Sequence, residues 1–243
     1  LERTLAGIDI PMPHDAGVWR AMHQALIDRN DLREGLIYLQ VTAGAYGDRN
    51  FGGPDVIVPS VFMFTTPRAL IFDGARDGIA AISVEDTRWG RRDMKTTQLL
   101  SQALAYRHAE AAGATTAIMH EGGLVTEAAS SNAWIVNADG VLVTRDLSPS
   151  ILPGITRAAV LEDLSREGVP IDERAFTLNE ALNAREMFLT SAGALIAPVI
   201  SLDGKNIGTG KPGPVTRRVQ QLYYGDMGAD LAKVAPWVLS PSL

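Results

Sequence analysis

Arg88-Trp89-Gly90-Arg91-Arg92-Asp93-Met94-Lys95-Thr96-Thr97 runs from an expected loop into the start of an expected helix. It sets one lysine between Met94 and two threonines with capping potential. Positive charge near a helix N-terminus is mildly unfavourable, so the ordinary reading of Lys95 is a solvated side chain. The other reading is a desolvated amine. Burial favours the neutral form of lysine, and a neutral ε-amine is the nucleophile that forms a Schiff base.

Three further stretches bear on this choice. Val125-Thr126-Glu127-Ala128-Ala129-Ser130-Ser131-Asn132 lies between two expected strands. It reads as a turn, or as a carboxylate aimed at a ring nitrogen, where it would keep a pyridinium protonated and electron-withdrawing. Ile151-Leu152-Pro153-Gly154-Ile155-Thr156-Arg157 opens an expected helix. The N–H groups at such an end favour an anion, and Thr156 adds a hydroxyl; Thr156 capping its own helix is an equal alternative. Leu189-Thr190-Ser191-Ala192-Gly193-Ala194 follows an expected strand. Small residues there allow close backbone approach to a ligand, or simply make a turn.

Composition narrows the classes. The chain has 243 residues, enough for one large or two modest domains. The net charge of -6 argues against a nucleic-acid surface, which needs clustered positive charge. Without cysteine there are no disulfides and no cysteine zinc sites, and a cytoplasmic location is expected. The four histidines, His14, His23, His108 and His120, show no metal-ligand spacing, so no metal is expected. No apolar run approaches the ~20 residues that span a bilayer, so no membrane partner is expected. No signal-peptide pattern follows Leu1, which reads as the interior of a helix with more chain expected upstream.

Outward from these motifs, a helix is expected over 1–8, closed near Gly7, and another over 16–31, capped by His14-Asp15. Strands are expected over 35–42 and 55–64, with a glycine-rich loop between. The stretch from Thr65 to Gly78 reads as a domain boundary. Beyond it, strands are expected over 79–84, 115–120, 132–136, 141–144, 169–175, 186–190 and 196–202. Asn137-Ala138-Asp139-Gly140 makes a hairpin turn. Helices are expected over 96–112, 156–167, 177–184 and 214–224, the first with Leu99, Leu100, Ala103 and Leu104 on one face. This mixed order predicts an α+β fold rather than a doubly wound sheet.

Taken in order, the four motifs resemble the fold-type IV pyridoxal-phosphate family, and most of all its D-amino acid aminotransferases, the D-alanine transaminases. (R)-selective amine transaminases, branched-chain aminotransferases and aminodeoxychorismate lyase are near relatives. The resemblance runs from Leu1 to about residue 224 and is strongest from Ile82 to Arg157. It implies a two-domain α+β fold: residues 1–66 as the remainder of a small α/β domain, 67–76 as a linker, 77–228 as the large cofactor-binding domain and 229–243 as a tail. It implies pyridoxal 5′-phosphate as cofactor, a homodimer, and a small amino donor with a 2-oxo acid acceptor. By the same resemblance Lys95 is the Schiff-base lysine and Glu127 the partner of the pyridine nitrogen. Leu152 packs on the ring, Ile155, Thr156 and Ala192 cradle the phosphate, and Ser191 lies beside the ring.

Two departures stand out. The family has further residues upstream, among them an arginine for the phosphate expected just before Leu1. In the loop from Val41 to Phe51, the positions where D-amino acid aminotransferases carry an arginine and a histidine for the substrate carboxylate hold Asp48 and Asn50. Arg49 between them serves as a clamp if the loop shifts by one residue, or is a solvated side chain. Without a clamp, donors lacking a carboxylate compete, which keeps the (R)-amine reading open. The lyase reaction and an inactive remnant are the remaining alternatives. The tail from Ala229 docks on a partner or is disordered.

Overall fold

The computed structural model describes residues 1–45, 47 and 51–239. Contacts divide the chain into two compact units, Leu1–Leu70 with Met94–Thr96, and Ile71–Asp93 with the residues from Thr97 onward.

The first unit holds α1 (Glu2–Gly7), α2 (Ala16–Arg29), β1 (Gly35–Thr42) and β2 (Ser60–Pro67). Asp15 starts α2 as expected, its carboxylate accepting the Val18 amide at 2.9 Å. β1 and β2 pair antiparallel from Gly35↔Pro67 to Thr42↔Ser60. The second strand therefore starts later than the expected residue 55. Proline has no N–H to give a ladder, and Pro59 stands directly before the first pair. The short segment around Lys95 packs here through Met94, which is buried, and through the Lys95 amide, which meets Thr4 Oγ1 at 3.3 Å. The helix expected from residue 96 begins only at Leu100, with Leu99 as its N-cap.

The second unit is built on a nine-stranded sheet. Its strands are β3 (Ile79–Glu85), β4 (Thr116–Glu121), β5 (Leu124–Ala128), β6 (Asn132–Val136), β7 (Leu142–Thr144), β8 (Ile171–Glu173), β9 (Glu186–Ser191), β10 (Leu195–Leu202) and β11 (Lys205–Asn206). The order is β5-β4-β3-β10-β9-β6-β7-β8, with β11 beside β10. A bridge between Ala128 and Ser131 ties β5 to the start of β6, so the sheet curls. Its helices are α3 (Asp73–Asp77), α4 (Leu100–Ala111), α5 (Ile155–Arg166), α6 (Leu178–Leu182), α7 (Pro214–Asp226) and α8 (Leu231–Val234).

Both faces of the sheet are covered, which is why Asn132-Ala133-Trp134-Ile135-Val136 is buried throughout. Ala133 and Ile135 pack with Ile118, Phe176 and Met187. Trp134 and Val136 pack with Phe188 and Ile196 under α5 and α7. Trp134 and Phe188 are directly opposite on β6 and β9, and their rings stack at 5.5 Å. α4 turns Ala105 and Ala109 inward and leaves Leu99, Leu100 and Leu104 exposed, so its buried face differs from the expected leucine face. The tail docks on its own chain: α8 and the turn Pro236–Val238 pack on α7, with Ala235 and Val238 buried.

Candidate active site

Glu127 lies on β5, a strand absent from the sequence expectation, which left a turn as one reading of this stretch. The strand forms because Gly122 and Gly123 make a tight turn at positive φ and return the chain beside β4. The strand buries Glu127 to 4% exposure. Its Oε1 accepts from Arg88 Nη1. Its Oε2 accepts from Asn132 Nδ2 at 2.9 Å and from the Leu152 amide at 3.2 Å. Burial pushes this carboxyl up to about 6 despite the adjacent Arg88.

Behind Glu127 stands a second buried carboxylate. Arg88 bonds Asp86 through both Nε and Nη2, and Thr126 Oγ1 donates to Asp86 Oδ2 at 2.6 Å. Burial pushes Asp86 up, but the hydrogen bonds from Arg88 and Thr126 outweigh it, so its carboxyl sits below the usual range. Asp86, Arg88 and Asn132 were given no role from the sequence. Arg88 and Asn132 stand inside the quoted motifs, and a guanidinium seven residues before Lys95 was a usable signal. Nothing local marked Asp86.

Leu152 and its turn lead to the N-terminus of α5. Gly154 is the N-cap, and no side chain caps the helix. The Thr156 hydroxyl is buried and has no hydrogen-bond partner. It does not cap its own helix. A buried hydroxyl without a partner costs free energy unless a ligand supplies one, and uncapped helix N–H groups favour an anion. These residues fit a phosphate group. Ile155 is exposed. Ser191 and Ala192 follow Thr190, which pairs with Asn132 across β6 and β9. The second unit thus gathers Glu127, Leu152, Ile155, Thr156, Ser191 and Ala192 around adjoining elements.

Lys95 belongs to the first unit and its side chain is exposed, not desolvated as the functional reading expected. Its neighbour Met94 takes the buried position on this segment instead. Arg49 lies outside the described residues. Among the described residues no group of His, Asp and Glu could hold a metal ion, and no helix is long and apolar enough to cross a membrane.

The chain is 36% identical over 233 residues to the D-alanine aminotransferase of Bacillus licheniformis, covering 96% of this chain and 82% of that one. It resembles the branched-chain amino acid aminotransferase of Escherichia coli with a TM-score of 0.84 at 26% identity, covering 92% and 76% of the two chains. It resembles that of Thermobaculum terrenum in its PLP form with a TM-score of 0.79, again at 26%, covering 95% and 77%. The family model described as amino-transferase class IV matches residues 1–202, and the chain belongs to that family of pyridoxal-phosphate-dependent aminotransferases.

Proposed function

We propose that this enzyme moves an amino group from a D-amino acid, such as D-alanine, to a 2-oxo acid, using pyridoxal 5′-phosphate. The observation that carries the reading is the pairing of a buried, three-fold-bonded Glu127 with an uncapped α5 N-terminus holding the unpartnered Thr156 hydroxyl. The likeness to the Bacillus licheniformis D-alanine aminotransferase supports the substrate class.

When bound, the cofactor supplies an aldehyde that joins amines covalently and a ring that accepts electrons as the substrate Cα proton leaves. Glu127 holds a proton at the ring nitrogen. Its three donors keep the carboxylate fixed for that contact. Thr156 and the first amides of α5 would hold the phosphate, with Ile155 and Ala192 contributing to its cradle, while Leu152 and Ser191 would contribute to the ring site. Lys95 Nζ would hold the cofactor covalently until the donor amine displaces it, and the freed, neutral amine would then take up the Cα proton. Half-reactions with donor and acceptor give ping-pong kinetics. Leu99, Leu100 and Leu104 are exposed at the start of α4, and a homodimer that covers them is tested by light scattering.

Asp48 and Asn50 stand where the carboxylate-binding pair is expected, so an (R)-selective amine donor is the second reading. A donor panel separates the two: D-alanine, D-glutamate, L-leucine and (R)-1-phenylethylamine, each with pyruvate or 2-oxoglutarate. Turnover with D-alanine is expected. Pyruvate release from aminodeoxychorismate without an acceptor would favour the lyase reaction instead. Lys95→Ala should lose borohydride-fixed cofactor by mass spectrometry and nearly all turnover. A colourless protein that takes up no pyridoxal phosphate overturns the proposal.

A further inference from the structure

Asn132 opens β6, is 4% exposed, and uses one nitrogen twice. Its Nδ2 donates to Glu127 Oε2 at 2.9 Å and to the Leu152 carbonyl at 2.8 Å. Both partners are acceptors, so the amide has one satisfiable orientation; flipped, its oxygen would face two oxygens. The same Glu127 oxygen accepts the Leu152 amide at 3.2 Å. The turn before α5 is therefore tied to Glu127 directly and through Asn132.

The oxygen end of that amide faces Gly154. A Cβ at position 154 would stand 2.2 Å from Asn132 Oδ1. Gly154 has φ -65 and ψ 138, a conformation open to any residue. Glycine is needed there for the space Asn132 fills, not for backbone freedom. Two residues on is Thr156, with its buried and unpartnered hydroxyl. On its other side Asn132 pairs with Thr190, next to Ser191.

We propose that Asn132 is a positioning residue: it sets the spacing between Glu127 and the N-terminus of α5, so that the ring-nitrogen and phosphate ends of one ligand are held as a single rigid site. This rests on the pyridoxal-phosphate reading above. A ligand engaged at both ends feels that spacing; a ligand engaged at one end does not.

The test is a double-mutant cycle on the cofactor-free protein. Kd is measured by absorbance and fluorescence for pyridoxal 5′-phosphate, for pyridoxal and for inorganic phosphate. Asn132→Ala should weaken pyridoxal phosphate roughly tenfold or more, the worth of one hydrogen bond to a charged group. Its effect on pyridoxal and on phosphate alone should be much smaller. Gly154→Ala should weaken pyridoxal phosphate in the wild type by displacing the Asn132 amide, yet add less than about twofold once Asn132 is alanine, because coupled residues are not additive. Equal loss for all three ligands, or effects that simply multiply, would mark a merely structural role and overturn the proposal. Should Asn132→Ala misfold, Gly154→Ala alone carries the comparison of the three ligands. A wild type that binds pyridoxal phosphate beside an unchanged Asn132→Ala sinks this inference only. A wild type that binds none sinks the cofactor reading and this inference with it.

Discussion

Arg88 meets Asp86 through paired hydrogen bonds, Nε to Oδ1 at 2.9 Å and Nη2 to Oδ2 at 2.7 Å, and turns its remaining nitrogen to Glu127. One buried guanidinium thus serves two buried carboxylates, with Arg92 Nε 3.5 Å from Asp86 Oδ2 as a second cation. The division is unequal. Asp86 receives the bidentate contact and its carboxyl lies below the ordinary range, whereas burial keeps Glu127 above it.

Removing the shared cation should be severe. Arg88→Met leaves both carboxylates buried without their main partner, a change expected to cost about 3–5 kcal/mol. Urea unfolding measures it. Arg88→Lys should recover only part, since an ammonium cannot bond Asp86 side by side and still reach Glu127. An unchanged unfolding midpoint in Arg88→Met would refute this account of the triad.

Glu127 should leave a mark on stability against pH. Its carboxyl is raised from 4.5 to about 6 by burial. The folded protein therefore holds this proton more tightly than the unfolded chain. Stability from this group is greatest below 4.5 and falls as pH rises to about 6, above which the loss is complete. The span is about 2 kcal/mol. Glu127→Gln should flatten that part of the profile; melting curves between those pH values decide, and an unaltered slope counts against it.

Thr156 offers a trade between stability and binding. Its hydroxyl is buried without a partner, so Thr156→Val should leave the cofactor-free protein as stable or steadier by about 1 kcal/mol. Pyridoxal phosphate should then bind several-fold more weakly. A variant that loses stability but no affinity would show that the hydroxyl serves the fold.

Glu186 caps α7 from another strand. It accepts the Val215 amide at 2.9 Å and the Thr216 amide and hydroxyl at 2.7 Å each. Glu186→Ala should cost roughly 2–3 kcal/mol, the loss of charge-assisted capping bonds. Calorimetry checks this, with Glu186→Gln expected to lose less because one acceptor oxygen remains.

Much of the local structure was readable in the residues. Gly35–Thr42 forms the strand expected of it, and Asp15 caps the helix it was expected to start. The order of the four motifs pointed to the family that the comparisons show. Other elements were not readable. Leu124–Ala128 became a strand because two glycines turn it back against β4, and the leucines expected to bury α4 face outward while its alanines face in.

Short-range chemistry is written along the chain: caps, turns and hydrophobic period depend on neighbours a few residues apart. The surroundings of Glu127 depend on Arg88, 39 residues earlier, and on Leu152, 25 residues later. Arg88 reaches Glu127 only because strand pairing sets β4 between β3, which leads to Arg88, and β5, which carries Glu127. The Gly122-Gly123 turn fixes the hairpin of β4 and β5, but which further strand lies beside β4 is decided by the packing of the whole sheet.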